Sequence, residues 1–202
     1  MWKILGKVNI LTEKEKMLAG QWYNANFDSE LAKERAFVKD LCMELNETRM
    51  RDLARRRKIL REILPNVDTD AVEILSPFMV DYGYNIYLGA GTFLNHNVYL
   101  MDCAEIRLGK KVFVGPNCGF YTAIHPLDIV KRAEGLERAE PIIIGDDVWI
   151  GGDVTILPGV KIGRGSVIGA KSLVTHDIPE NVMAFGNPAK VVKTVGLETL
   201  LV

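Results

Sequence analysis

Three histidines, His96, His125 and His176, are the only side chains in this 202-residue sequence that exchange a proton near neutral pH without help from their surroundings. Free imidazole, with a pKa of about 6.5, suits general-base work, which typically contributes roughly 10²–10⁴-fold in rate. Imidazole also binds zinc, and three histidines on one ion make a catalytic zinc site. Here they include no close pair, and each falls at a separate level of a repeating chain, which disfavours convergence on a metal. No metal is expected. Cys42, Cys103 and Cys118 form an odd set without CxxC spacing, so neither a thiolate cluster nor a disulfide framework is indicated, and a reducing cytoplasm suits them. Of the histidines, His125 has the most distinctive setting: it leaves a regular pattern in "FYTAIHPLDIV" (120–130), beside Pro126, which fixes the backbone and cannot join a strand ladder.

The pattern it leaves is hexameric. From Ile144 an aliphatic residue recurs every six positions: Ile144, Ile150, Ile156, Ile162, Ile168, Val174. Gly follows at 145, 151, 163 and 169, and Leu88, Leu94 and Leu100 show the same step earlier. After a two-residue slip at Ile106–Arg107 the rhythm resumes at Leu108, Val114 and Phe120. Neither 3.6 nor 2 accounts for this period. A six-residue repeat is the signature of a parallel β-helix whose recurring aliphatics stack inward, with Gly expected at corners where positive φ costs it little. The excursion from about 125 to 141 is long for a β-helix corner, and long loops on repeat scaffolds tend to carry function.

Ahead of the repeats the chain reads as helical. Thr12 with Glu15 has capping-box spacing, and Gly20 suits a helix end. Further helices are expected over Asp28–Asn46 and Thr48–Leu64, the last stopped by Pro65, with Asn66–Met79 as a linker. The expected organisation is an extension at 1–11 of unknown role, a helical unit at 12–65, a β-helix domain at 66–195 and a tail at 196–202.

The formal charge of −1 gives no electrostatic reason to expect nucleic acid or an anionic membrane as partner. The basic run "RMRDLARRRKILR" (49–61) keeps apolar residues at helical spacing and reads as a solvated helix face. No apolar run nears the roughly 20 residues that span a bilayer, and "MWKILGKVNIL" is too interrupted for a signal peptide. The expected location is the cytoplasm.

"TEKEKMLAG", "DYGYNIYLG" (81–89), "YTAIHPLD" (121–128) and the stretch from Ile142 to Lys193 together resemble the maltose/galactoside O-acetyltransferase group of the hexapeptide-repeat acyltransferases. The resemblance spans about Thr12 to Lys193 and implies a left-handed parallel β-helix, acetyl-CoA as co-substrate, a sugar or glycoside acceptor and a homotrimer with active sites between subunits. It implies His125 as catalytic base in a direct ternary complex, and Asp81, Asn95 and Asp102 as acceptor-pocket positions. Asn26 stands where some members carry a sugar-binding Asp, Arg35 and Tyr23 lie nearby, and Cys103 replaces an acidic residue of one member. Glu137 is expected to orient the imidazole or touch the acceptor. On the donor side the resemblance implies backbone at Gly152 and Ala170 along pantetheine, with the Gly152 N–H as oxyanion donor. It also implies Thr175 and His176 at the nucleotide end, Lys190 and Lys193 at the phosphates and Trp149 as a wall.

Three alternatives compete. A γ-type carbonic anhydrase shares the β-helix but needs its three histidines on one zinc. A non-catalytic β-helix scaffold would not need "TAIHPLD". Hexapeptide acetyltransferases acting on antibiotics or serine normally lack the N-terminal helical unit.

Overall fold

The computed structural model describes residues 11–196, so nearly all of the N-terminal extension and of the tail lies outside the described residues. Helix α1 (Glu13–Leu18) starts at the expected capping box, in which the Thr12 side chain accepts from the Glu15 N–H and the Glu15 carboxylate accepts from the Thr12 N–H. A short strand β1 (Tyr23–Asn24) precedes α2 (Ser29–Glu47), which Asp28 caps. Helix α3 covers Leu53–Ile63 rather than starting at Thr48, because Asp52 supplies the cap by accepting from the Arg55 N–H.

The rest is a stack of three-sided coils. The expected linker is partly the first coil: β2 (Glu73–Ile74) falls inside it and β3 (Phe78–Val80) begins inside it, followed by β4 (Ile86–Leu88). Strands β5 (Phe93–Leu94), β6 (Val98–Met101) and β7 (Ile106–Leu108) form the next coil. Then come β8 (Phe113–Val114) and β9 (Gly119–Tyr121), and the chain departs through β10 (Ala123–Ile124), α4 (Ile129–Ala133) and β11 (Leu136–Ala139). It returns at β12 (Ile142–Ile144) and continues as β13 (Trp149–Ile150), β14 (Thr155–Ile156), β15 (Lys161–Ile162), β16 (Val167–Ile168) and β17 (Leu173–Val174). A hairpin of β18 (Val182–Gly186) and β19 (Ala189–Thr194) closes the stack.

Strands of successive coils pair in parallel into three faces, face one β2-β5-β8-β13-β16-β18, to which β19 adds antiparallel, face two β3-β6-β9-β14-β17 and face three β4-β7-β12-β15. The hexameric residues are in register. Leu94, Val114, Ile150 and Ile168 form one column, Leu100, Phe120, Ile156 and Val174 a second, and Leu88, Leu108, Ile144 and Ile162 a third, all buried. Burying a Leu, Ile, Val or Phe side chain stabilises by about 1.5–3 kcal/mol, so these columns hold the scaffold together.

The repeat glycines do a different job from the one expected. Positive φ at the corners falls mostly on Asn, Asp and Lys, as at Asn117, Asp153 and Lys171. Gly151 is needed because a Cβ there would stand 2.7 Å from the Ala170 nitrogen of the next coil. Close stacking, not left-handed backbone, selects glycine at this step.

Candidate active site

The corners between faces one and two are tight throughout. Those between faces two and three widen in the early coils, which accounts for the two-residue slip, and the third coil opens there into the excursion. The excursion is pinned by the N-terminal unit. Strand β1 pairs antiparallel with β11, placing Tyr23 opposite Glu137 and Asn24 opposite Leu136, and β11 pairs with β10. Asn24 extends the clamp: its Nδ2 donates to the Glu134 carbonyl at 3.0 Å, and its Oδ1 accepts from the Phe27 N–H at 2.9 Å. The two-residue strand β1 has no readable period, and sequence reasoning missed it.

His125 follows β10. Its Nδ1 lies 3.0 Å from the Leu136 carbonyl oxygen, which can only accept, so Nδ1 carries the proton and the lone pair is on Nε2. Glu137 Oε2 is 3.5 Å from Nε2, and Glu137 Oε1 accepts a hydrogen bond from the Tyr23 hydroxyl. Burial, with the Glu137 carboxylate accepting its hydrogen bond, pushes the Tyr23 phenol far above its usual range, so Tyr23 remains a donor. Glu137 and Tyr23 are buried while His125 is exposed beside a cavity of about 510 Å³, lined by Trp22, Ile124, Pro126, Leu127, Leu136 and Arg138 among others.

Asp81 shares this corner. Its Oδ1 accepts from the Tyr99 hydroxyl at 2.7 Å and faces Lys39 Nζ at 3.1 Å, a partner from α2 with no sequence signal of its own. Cys103 Sγ lies 3.9 Å from Asp81 Oδ2, and burial, with Glu137 and Asp81 nearby, pushes its thiol well above the normal range. Arg35 donates to the Tyr82 hydroxyl at 2.5 Å and to the Ala25 carbonyl at 2.7 Å. Asn26 is exposed. Asp102 departs from the expectation of an acceptor contact: it is completely buried, with its carboxylate turned onto backbone N–H groups. Thr175 and His176 lie lower on the same corner, joined to each other at 2.8 Å, beside a groove of about 490 Å³ that also takes in Glu140, Pro158 and Gly159.

The remaining candidates stand elsewhere. Asn95 follows β5, Gly152 follows β13 and Ala170 follows β16, one above another on the edge between faces one and two. Asn95 Oδ1 accepts from the His96 N–H at 2.7 Å. The Gly152 carbonyl accepts from the Lys171 N–H at 2.9 Å, whereas the Gly152 and Ala170 N–H groups have no acceptor among the described residues. Trp149 is half-exposed on face one, and Lys190 and Lys193 are exposed on β19 opposite Phe185 and Met183. One chain therefore presents its imidazole and its candidate oxyanion donor on two different edges, with face two between them.

Residues 16–68 match the maltose acetyltransferase hexapeptide capping motif, and residues 141–176 match the bacterial transferase hexapeptide of six repeats. A Staphylococcus aureus (strain MRSA252) protein assigned as an acetyltransferase is 53% identical over 188 residues, 93% of this chain and 94% of its own. The crystal structure of a maltose O-acetyltransferase from Clostridium difficile 630 superposes with a TM-score of 0.88 at 43% identity, covering 93% of this chain and all of the other. A galactoside acetyltransferase in complex with coenzyme A superposes with a TM-score of 0.83 at 32% identity, covering 93% of this chain and 92% of the other.

Proposed function

The chain belongs to the hexapeptide-repeat acetyltransferases, in the maltose/galactoside O-acetyltransferase group, and from that premise we propose that it transfers acetyl from acetyl-CoA to a hydroxyl of a sugar or glycoside. The observation that carries the reading is the 3.0 Å contact of His125 Nδ1 with the Leu136 carbonyl, which commits the Nδ1 proton and leaves the lone pair on Nε2, 3.5 Å from Glu137 Oε2. The acceptor hydroxyl gives its proton to Nε2 as its oxygen attacks the thioester carbonyl. The tetrahedral oxyanion collapses, the C–S bond breaks, and the leaving thiolate takes the proton back from the imidazolium. Glu137, held by Tyr23, lowers the energy of that transient imidazolium.

A direct ternary complex fits the thiols: Cys103 and Cys118 are buried, and burial raises Cys118 to about 11 and holds Cys103 well above the usual thiol range, so neither supplies a thiolate nucleophile. Asp81, with Asn95 and Asn26 as further candidates, supplies the polar contacts a hydroxyl-rich acceptor requires. Acetyl-CoA lies with its pantetheine arm against the Gly152 and Ala170 backbone and Trp149, its phosphates near Lys190 and Lys193 and its nucleotide end near Thr175 and His176. The Gly152 N–H faces the developing oxyanion; a donor of this kind is typically worth roughly 10²–10³ in kcat. Because the two edges of one chain are separated by face two, the site is completed by a neighbouring copy, and a closed trimer supplies three such sites.

Thiol release from acetyl-CoA, measured against a panel of sugars and glycosides with sedimentation in parallel, tests this. Acceptor-dependent release by a trimer is expected. A monomer that turns over fully, or release indifferent to every sugar offered, would overturn it.

A further inference from the structure

The widened corner gathers the three buried carboxylates found among the described residues: Asp81, Asp102 and Glu137. Asp81 and Glu137 enter the mechanism, whereas Asp102 is sealed from any acceptor. Its Oδ1 accepts from the N–H groups of Asp81 at 3.0 Å and Tyr82 at 2.8 Å, and its Oδ2 from that of Asn85 at 3.3 Å. Its carbonyl accepts from Asn85 Nδ2 at 2.8 Å. A turn from the coil above is thus wrapped around one carboxylate in the manner of an anion nest.

The wrapping needs Gly83, which has φ of +80° and sits so close to the Ile63 carbonyl that no side chain fits. The turn carries the acceptor machinery outward. With its N–H held by Asp102, Asp81 aims its side chain at Tyr99 and Lys39. Tyr82 meets Arg35, which reaches on to the Ala25 carbonyl beside β1. Burial pushes the Asp102 carboxyl up to about 6 against the pull of its three N–H donors, so desolvating this group is costly and the bonds to the turn are what offset it.

We infer that Asp102 is a positioning residue that sets acceptor affinity from behind, by fixing the turn that presents Asp81. This rests on the acceptor reading above. Asn at 102 preserves the shape but turns an N–H₂ toward a backbone N–H, breaking one side of the nest.

The test is steady-state kinetics of Asp102→Asn, of Asp81→Asn and of the double variant. Losing one charge-assisted hydrogen bond should raise the acceptor KM of Asp102→Asn roughly tenfold, with kcat and the acetyl-CoA KM within about twofold. In the Asp81→Asn background the same change should add little, since its effect passes through Asp81. A fall in kcat matched by a rise in the acetyl-CoA KM, or full additivity with Asp81→Asn, would overturn the inference. Asp102→Ala is the harsher variant, and the isosteric Asn keeps the test valid if Ala fails to fold. If the parent acetylates no sugar, the acceptor reading fails by itself, and amide hydrogen exchange judges the positioning role. Faster exchange confined to residues 81–85 in Asp102→Asn sustains that role, and unchanged exchange there overturns it.

Discussion

The edge between faces one and two and the edge between faces two and three are built from the same repeat and have become opposites. On the first, every corner is tight, left-handed residues such as Asn117 and Asp153 turn the chain, and the Gly152 and Ala170 N–H groups are left without an acceptor among the described residues. On the second, corners widen, a loop departs, and carboxylates are buried among tyrosines and a thiol. Regularity suits contact with an extended donor, because repeated backbone geometry places the Gly152 and Ala170 N–H groups at equivalent corners of successive coils. Irregularity suits acid–base chemistry, because a charged network needs side chains from distant segments and a desolvated place to meet.

That contrast can be broken most severely at His125. His125→Ala should lower kcat/KM by roughly 10²–10⁴-fold while leaving the thermal midpoint unchanged, because the ring is exposed and carries no column contact. Near-parent activity in a thiol-release assay would remove the base. On the regular edge, adjacent glycines should behave differently. Gly151→Ala forces a methyl to 2.7 Å from the Ala170 nitrogen and should cost about 1–3 kcal/mol by denaturant titration, through displaced backbone. Gly152→Ala meets Pro116 only at 3.4 Å and keeps its N–H, so stability and acetyl-CoA KM should stay within a few-fold of the parent. Equal behaviour of the two would mean that close stacking is not what selects glycine.

The repeat was legible because each column residue is fixed by one local rule, an aliphatic every six positions, and the structure buries all of those residues. His125 was legible because it marks where that rule fails. The pairing of β1 with β11 carries no pattern: two residues have no period, and their partners are remote in sequence. Lys39 has no signal in the sequence, and its role shows only where α2 is laid against the coils and its Nζ meets Asp81. The family resemblance implied a pocket position for Asp102, but only burial and three backbone donors reveal where its carboxylate points. The start of α3 was misplaced because Thr48 and Asp52 both suit a cap, and Asp52 has the Arg55 N–H within reach.

The clamp of β1 on β11 also bears on the order in which the molecule can be completed. Tyr23 and Glu137 are 114 residues apart in sequence. At roughly 5–20 residues per second of synthesis, the partner strand emerges about 6–23 s after Tyr23 does. During that interval the coils up to β9 can stack one upon the next, each needing only its predecessor. The second core of Met17, Tyr23, Ala25, Leu31, Tyr82, Cys103 and Ala139 still lacks its lid. The early coils can therefore grow like a zipper, whereas the corner that holds His125 waits for a single long-range closure.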